Sequence, residues 1–252
     1  MARRHPKNVA QRFATILFLC IYESASMIEF LKAKDESSVF VVGDIHGEYS
    51  YLIEELNKIN FNFENDLLIA VGDIVDRGNE NIKCVQLLDK KWFKSVMGNH
   101  EDFCIQGLTN SHVEFYHKMK NNGGSWFYDL SDVERNCVAE KFKQLPVLIE
   151  LEYQNKKFGF VHADVPVEDW ELLKEMVLNK DHMNNGRSII EACLWSRRIV
   201  EMETVEIAQV DNVFLGHTVL PEIKQVGNCT FLDTGGVFRD CDQQYKLSII
   251  KL

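Results

Sequence analysis

The sequence predicts an α/β fold of four layers, two packed β-sheets with helices on the outside, and two patterns predict it. The first half alternates short apolar runs with stretches of helical periodicity, the arrangement that builds parallel sheets covered by helices. In the second half, apolar runs are joined in pairs by tight-turn residues, the signature of antiparallel strands. A third pattern locates the chemistry: five of the apolar runs end on residues of the metal-ligating type. Functional groups of α/β proteins gather beyond the carboxyl ends of strands, so these separate stretches are predicted to deliver their ligands to one edge.

Taken in order, Val39–Val42 is predicted as a strand that leads through Gly43 to Asp44 and His46. A helix over about 49–59 follows, with Leu52, Ile53, Leu56 and Ile59 on one face. The run 67–71 is the next strand and ends through Gly72 on Asp73; a helix over about 79–89 then presents Ile82, Val85 and Leu88. Strand 93–97 ends through Gly98 on Asn99. From Asp102 to Leu145 the pattern is helical, with a break at Asn122-Gly123-Gly124 and Ser131 as an N-cap. Strands over 147–152 and 157–161 flank Gln154-Asn155-Lys156 as a hairpin, and the second ends on His162. A strand over 211–215 ends through Gly216 on His217, and 222–226, 229–232 and 245–251 complete the set, with Gly227-Asn228 as a tight turn.

A chain of 252 residues suits one catalytic domain, predicted over 27–252, behind an N-terminal extension of residues 1–26. Hydrophobic residues at 46% and charged residues at 26% fit a globular protein and remove the disordered and fibrous classes. The net charge of −10 opposes nucleic acid as a partner, because backbone phosphates need a basic face. No stretch reaches the roughly 20 apolar residues that span a bilayer. Seven cysteines, an odd number without a CxxC pair, argue against a disulfide framework and for a reducing compartment, the cytoplasm. In the extension, Arg3, Arg4, Lys7 and Arg12 precede the apolar run Phe13–Tyr22 and the small residues Ser24, Ala25 and Ser26, the outline of a secretory signal. Export through that segment is the alternative, against a start at Met27 that would make the extension dispensable.

The strand-end residues suggest a specific chemistry. In Gly43-Asp44-Ile45-His46-Gly47, a carboxylate and an imidazole two residues apart can share one cation. Asp73 has two oxygens and can bridge a pair of cations; Asn99 adds a carbonyl oxygen, and His162 and His217 add nitrogens. Mixed nitrogen and oxygen ligation suits manganese, iron or zinc better than magnesium or calcium. Two divalent ions lower the pKa of a shared water and hold phosphoryl oxygens for in-line attack, so the set is that of a two-metal hydrolase. His100, next to Asn99, is placed to protonate a leaving alkoxide, and Asp76 to orient that imidazole. Arg77 can grip phosphoryl oxygens with two donors, and Arg197 or Arg198, after Leu194-Trp195-Ser196, can add a further contact. His5, His112, His117 and His182 lie outside the strand-end clusters and are assigned to packing or to the surface.

The segments Gly43-Asp44-Ile45-His46-Gly47-Glu48, Gly72-Asp73-Ile74-Val75-Asp76-Arg77-Gly78, Gly98-Asn99-His100-Glu101, Val161-His162-Ala163-Asp164 and Leu215-Gly216-His217-Thr218 resemble the motifs of the metal-dependent phosphoprotein phosphatases, within the calcineurin-like metallophosphoesterases. The likeness is closest to the compact bacterial and phage lambda-type serine/threonine phosphatases. It runs from about Val39 to the C-terminus and includes Asn122-Gly123-Gly124-Ser125-Trp126-Phe127 and Leu232-Asp233-Thr234-Gly235-Gly236. The resemblance implies a β-sandwich flanked by helices with a dinuclear, manganese-type site at its edge, acting on phosphorylated protein or peptide through a metal-bridging hydroxide. It also implies that Asp44, His46 and His217 bind one metal, Asn99 and His162 the other, and that Asp73 bridges them. His100 would be the general acid, paired with Asp76, while Arg77 and Arg197 would hold the phosphate. Glu48 stands where many relatives carry Cys, and Met97 where bacterial ones carry Arg before Gly98, departures that spare every ligand. The alternative on the same core is a small-molecule phosphohydrolase such as a symmetrical dinucleoside tetraphosphatase. Those relatives usually carry an altered Asp-Arg-Gly segment and end the third motif in Asp, so Asp76 and Glu101 favour the protein phosphatase. A catalytically inert binding protein is the third possibility, and the intact ligand set disfavours it.

Overall fold

A computed structural model describes residues 26–34 and 36–252; the N-terminal extension up to residue 25, with its signal-like outline, lies outside the described residues. The described strands form two sheets. In the first, β2 (Val39–Val42), β3 (Leu67–Ala70) and β4 (Phe93–Ser95) run parallel, and β10 (Ile249–Lys251) pairs antiparallel with β2, giving the order β10-β2-β3-β4. The second contains β1 (Ile28–Lys32), β5 (Leu148–Tyr153), β6 (Lys156–Phe160), β7 (Asn212–Leu215), β8 (Lys224–Val226) and β9 (Cys229–Phe231) in the order β1-β5-β6-β7-β9-β8. Within it β6, β7 and β9 are mutually parallel.

Continuous apolar strands are buried on both faces, and here the pleat divides them cleanly. Val39, Val41, Ile69 and Val71 turn inward to meet Ile149, Leu151, Phe160, Phe214 and Leu232 of the other sheet. Phe40, Val42, Leu68 and Ala70 turn outward, under the helices Tyr49–Lys58, Asn81–Val85 and Asp132–Lys143. On the far side, the helices Trp170–Asn179 and Ile189–Trp195 cover Val161, Val213, Leu215 and Phe231. Helix, sheet, sheet and helix layers thus stack as the sequence predicts.

Local signals act where they were expected. Ser131 caps the helix Asp132–Lys143 in a reciprocal box: its Oγ accepts from the Glu134 N–H, and the Glu134 carboxylate accepts from the Ser131 N–H at 2.8 Å. The hairpin turn at Gln154 and Asn155 has φ of 51° and 60°, as a two-residue turn between twisted strands requires. Other elements differ from expectation. The helix over 79–89 splits into Asn81–Val85 and a 3₁₀ turn at Gln86–Asp89. The strand over 245–251 shrinks to its last residues, because the Lys246 N–H and C=O bond to Thr234 instead of a sheet ladder. The strand β1 and the helices Trp170–Asn179 and Ile189–Trp195 were not predicted; β1 is an edge strand whose Phe30 is 64% exposed, which breaks the alternation. The six described cysteines are unbridged, and four of them are buried. No helix among the described residues is long and apolar enough to cross a membrane.

One contact sets the position of the outer helix on the second sheet. Gly159 lies opposite Glu150 in the β5–β6 ladder, and a Cβ there would meet the Trp170 ring at 2.7 Å. The indole therefore rests on bare backbone. Its Nε1 donates to the Glu150 carboxylate at 2.8 Å, and Lys174 Nζ donates to the same oxygen at 2.6 Å. The buried charge on Glu150 is thus both paired and hydrogen-bonded, as its burial demands. Gly159→Ala is expected to lower stability by about 1–3 kcal/mol through overpacking. Denaturant unfolding with an unchanged slope would measure it; an unchanged midpoint would mean that Trp170 is not seated on Gly159.

Candidate active site

Parallel strand ends from both sheets meet at one edge. In the first sheet β2, β3 and β4 lead to Asp44, Asp73 and Asn99; in the second, β6, β7 and β9 lead to His162, His217 and Asp233. The approach is close enough to require glycine: a Cβ at Gly98 would lie 2.2 Å from Asp73 Oδ1, and one at Gly216 would lie 2.1 Å from Asp44 Oδ1. Five other residues take the left-handed backbone that L-residues disfavour, with φ of 46° at His46, 50° at Asp73, 75° at Asp76, 64° at Arg77 and 67° at His217. Such strain persists only where surrounding structure enforces it, and it gathers at functional sites. Here one enforcing group is Glu101, whose carboxylate accepts the N–H groups of Asp73 and Ile74 at 2.9 Å and of Gly98 at 2.8 Å. Burial, reinforced by the Asp73 charge, pushes the Glu101 carboxyl up to about 7.

Asp73 occupies the middle. Its Oδ2 lies 3.7 Å from His46 Nε2 and 3.8 Å from His100 Nε2, and its Oδ1 lies 3.4 Å from His162 Nε2. Asn99 Oδ1 faces His162 Nε2 at 2.9 Å and His217 Nδ1 at 2.7 Å. His217 thereby departs from the grouping that family resemblance implied. Only its backbone N–H reaches Asp44, at 3.1 Å, while its ring packs edge-on against His162 with centroids 5.0 Å apart. The His217 ring thus stands with Asn99 and His162.

The donor set fits divalent cations. His46 Nδ1 lies 2.9 Å from the Val75 carbonyl and His162 Nδ1 lies 2.7 Å from the Val71 carbonyl, so each places a proton there and turns Nε2 inward, as second-sphere bonds do for metal-binding imidazoles. His217 Nε2 and Asp233 Oδ2 are buried without a hydrogen-bond partner. Burial, followed by the Asp233 and Asp73 charges, raises the Asp44 carboxyl well above its usual range, and burial carries Asp233 up to about 6. Burial also holds His46 well below its ordinary value and takes His217 down to about 2, leaving both neutral as ligation requires. Burial lowers His162 too, but the Asp73 carboxylate, the Val71 carbonyl and the Glu101 charge together outweigh it and raise it. A carboxylate that favours a proton at that nitrogen favours a cation there too. His46, Asp73 and His100 form one group able to hold a metal, and Asp73, His162 and His217 form another, with Asp73 common to both. The Arg77 guanidinium, itself a cation, donates to His46 Nε2.

Asp76 is held from three directions. Its Oδ2 lies 2.6 Å from His100 Nδ1 and 2.7 Å from His117 Nε2, and its Oδ1 accepts from Trp126 Nε1 at 2.6 Å. Burial pushes the Asp76 carboxyl up, but the bonds from His100 and His117 outweigh it and hold it at about 2. Burial lowers the His100 imidazole, and the Asp73 and Asp76 carboxylates more than reverse that. His112 and His182 are exposed, in line with their assignment, and His5 lies outside the described residues. His117 is fully buried in the Asp76 network, a participant that sequence reasoning missed, as it missed Trp126 and Asp233. The signal was the glycine pair: a Cβ at Gly124 would lie 2.0 Å from the His117 ring, and one at Gly123 would lie 2.3 Å from the Arg77 backbone nitrogen. Arg77 also donates through Nε to the Asn121 carbonyl at 3.2 Å and lies over the Phe238 ring. Arg198 is used internally, with Nη2 donating to the Val165 carbonyl at 2.8 Å, whereas Arg197 is exposed and close enough for its charge to act on His217.

A family model described as calcineurin-like phosphoesterase matches residues 37–221. Serine/threonine-protein phosphatase 2 of Salmonella typhimurium is 34% identical over 204 residues, 78% of this chain and 87% of that protein. The symmetrical bis(5'-nucleosyl)-tetraphosphatase of Pasteurella multocida is 29% identical over 137 residues, 54% of this chain and 46% of its own. A solved protein serine/threonine phosphatase from Saccharomyces cerevisiae covers 90% of this chain and 84% of its own with a TM-score of 0.55 and 15% identity, a likeness of fold alone. Since the family match takes in every strand end of the site except that of β9, and the Salmonella protein aligns over most of both chains, the chain belongs to the calcineurin-like phosphoesterase family and is a phosphatase-type hydrolase.

Proposed function

We propose that the chain is a metal-dependent serine/threonine phosphoprotein phosphatase, with residues 27–252 as its single catalytic domain. The observation that carries this reading is the Asp76–His100 pair, bonded at 2.6 Å beside Asp73, because a proton donor is what a poor leaving group such as an alkoxide needs. Sequence supports it as well: serine/threonine-protein phosphatases 1 and 2 of Salmonella typhimurium are 32% and 34% identical over most of their lengths. The domain limits are supported by β1 and β10, which enter the two sheets from near either end. Unbridged, mostly buried cysteines favour a reducing, cytoplasmic setting.

In this reading Asp44 and His46 would hold one divalent ion, Asn99, His162 and His217 would hold the other, and Asp73 would contribute to both. Manganese is the first choice, with iron or zinc as alternatives, and such a pair polarises the phosphoryl group and supplies a nucleophile at neutral pH. The rest is done by side chains. Arg77 offers two donors in a fixed fork to the phosphate oxygens, and Arg197, exposed beside His217, offers a second contact. Asp76, ionised with its carboxyl at about 2, binds the Nδ1–H of His100 and so presents Nε2–H toward Asp73 and the substrate. His100 gives that proton to the leaving oxygen as the ester bond breaks. A second reading, hydrolysis of dinucleoside tetraphosphates, has the Pasteurella match in its favour.

Comparing kcat/KM on phosphoserine and phosphothreonine peptides with that on a dinucleoside polyphosphate panel tests the proposal. The peptides are expected to lead by roughly tenfold or more, a difference of about 1.4 kcal/mol in transition-state stabilisation; the reverse order would overturn it. His100→Asn is expected to leave bound metal nearly unchanged and to cut turnover of a phosphoserine peptide by about 10²–10⁴-fold, with a much smaller loss on p-nitrophenyl phosphate. Equal losses would count against proton donation. Chelation should abolish activity and Mn²⁺ should restore it; full activity in a metal-free preparation would sink the mechanism.

A further inference from the structure

We infer that His117 is a positioning residue for the proton donor: it locks the Asp76 carboxylate that aligns His100, an assignment that rests on the proton-donor reading above. His117 ends the helix Ser111–His117, its side chain is fully buried, and its ring stacks on Phe103 with centroids 5.2 Å apart. Its hydrogen bonds orient the ring. Trp126 Nε1 donates to Asp76 Oδ1, and His117 Nε2 is placed to donate to Oδ2 at 2.7 Å. Nδ1 lies 3.1 Å from the Tyr128 hydroxyl, which can donate or accept there. Both ring nitrogens are thus satisfied.

Geometry shows what the bond accomplishes. Asp76 Oδ2 is shared by two imidazoles, and Trp126 holds Oδ1, so the carboxylate is fixed against rotation about its own bond. Without His117, the His100 and Trp126 bonds remain, and Oδ2 gains freedom to swing. The orientation of His100 then loosens, because Nδ1 is the nitrogen that the carboxylate grips. The chain reserves space for this ring, since a side chain at Gly124 would collide with it. Packing alone would accept any flat apolar ring in that space; the donor toward Asp76 requires an imidazole.

The test compares wild type, His117→Phe, His117→Gln and His100→Asn on a phosphoserine peptide and on p-nitrophenyl phosphate, with bound metal and unfolding midpoint measured for each. His117→Phe keeps a ring against Phe103 and removes the donor. It is expected to lower kcat on the peptide by about 10–100-fold, the usual cost of losing an orienting second partner. KM should stay near wild type, and p-nitrophenyl phosphate, which scarcely needs the proton, should be nearly unaffected. His117→Gln, which keeps an N–H near the same place, should recover most of the loss. Equal losses on both substrates, an unchanged kcat on the peptide, or no recovery with Gln would overturn the inference. If His117→Phe does not fold, Tyr128→Phe serves: a smaller selective loss on the peptide supports the assignment, and the absence of selectivity overturns it. Selectivity in His100→Asn but not in the His117 and Tyr128 variants removes this inference alone. No selectivity in His100→Asn removes the proton-donor reading and the inference with it.

Discussion

A single buried carboxylate, that of Glu101, ties together the two turns on which the site is built. Two of its three backbone bonds go to the turn after β3 and one to the turn after β4. Three backbone N–H groups gathered on one buried side chain hold Asp73 in a left-handed conformation that costs free energy by itself. That conformation points Asp73 at His46 and His100 on one side and at His162 on the other. Glu101 also heads the helix Asn99–Gln106, so the turn that presents Asn99 and the helix that carries His100 are fixed by the same group.

Around that anchor the molecule repeats one device: a reactive side chain is held from behind by a group that faces away from the reaction. Carbonyls of Val75 and Val71 hold His46 and His162, Asp76 holds His100, and His117 and Trp126 hold Asp76. Apart from the half-buried Trp126, these groups are buried, where hydrogen bonds are strong and unpaired groups are costly. The rim is built differently. Glu48 forms an ion pair with Arg239 at 2.5 Å, and Arg239 lies over the Tyr51 ring. Arg77 lies over Phe238, next along the chain, so both sides of this rim involve the segment after β9.

The architecture and most of the candidate site were legible because buried parallel strands leave a plain trace, an apolar run that stops on glycine and a polar residue. Asp44, Asp73, Asn99 and His217 all follow that trace, and His162 follows it without the glycine. Asp233 follows it as well, directly after Leu232, and the same argument reaches it. What the trace does not carry is the direction of a side chain beyond the turn. His217 sits with Asn99 and His162 and has a φ of 67°, neither of which spacing along the chain encodes. His117 is harder still, since its partner lies 41 residues away and its short helix exposes Phe115 and Tyr116 on the neighbouring positions, giving no apolar face to read. The edge strand β1 escaped for a related reason, with one face exposed and no alternation to mark it.

In the proposed function Asp73 would join two metal sites, one with Asp44 and His46 and the other with Asn99, His162 and His217. Anomalous diffraction at the manganese edge, from crystals grown with Mn²⁺, tests it most directly. The account predicts two peaks flanking the Asp73 carboxylate, the second of them beside the His217 ring. A single peak, or a pair with His217 beside the Asp44 ion, would contradict it.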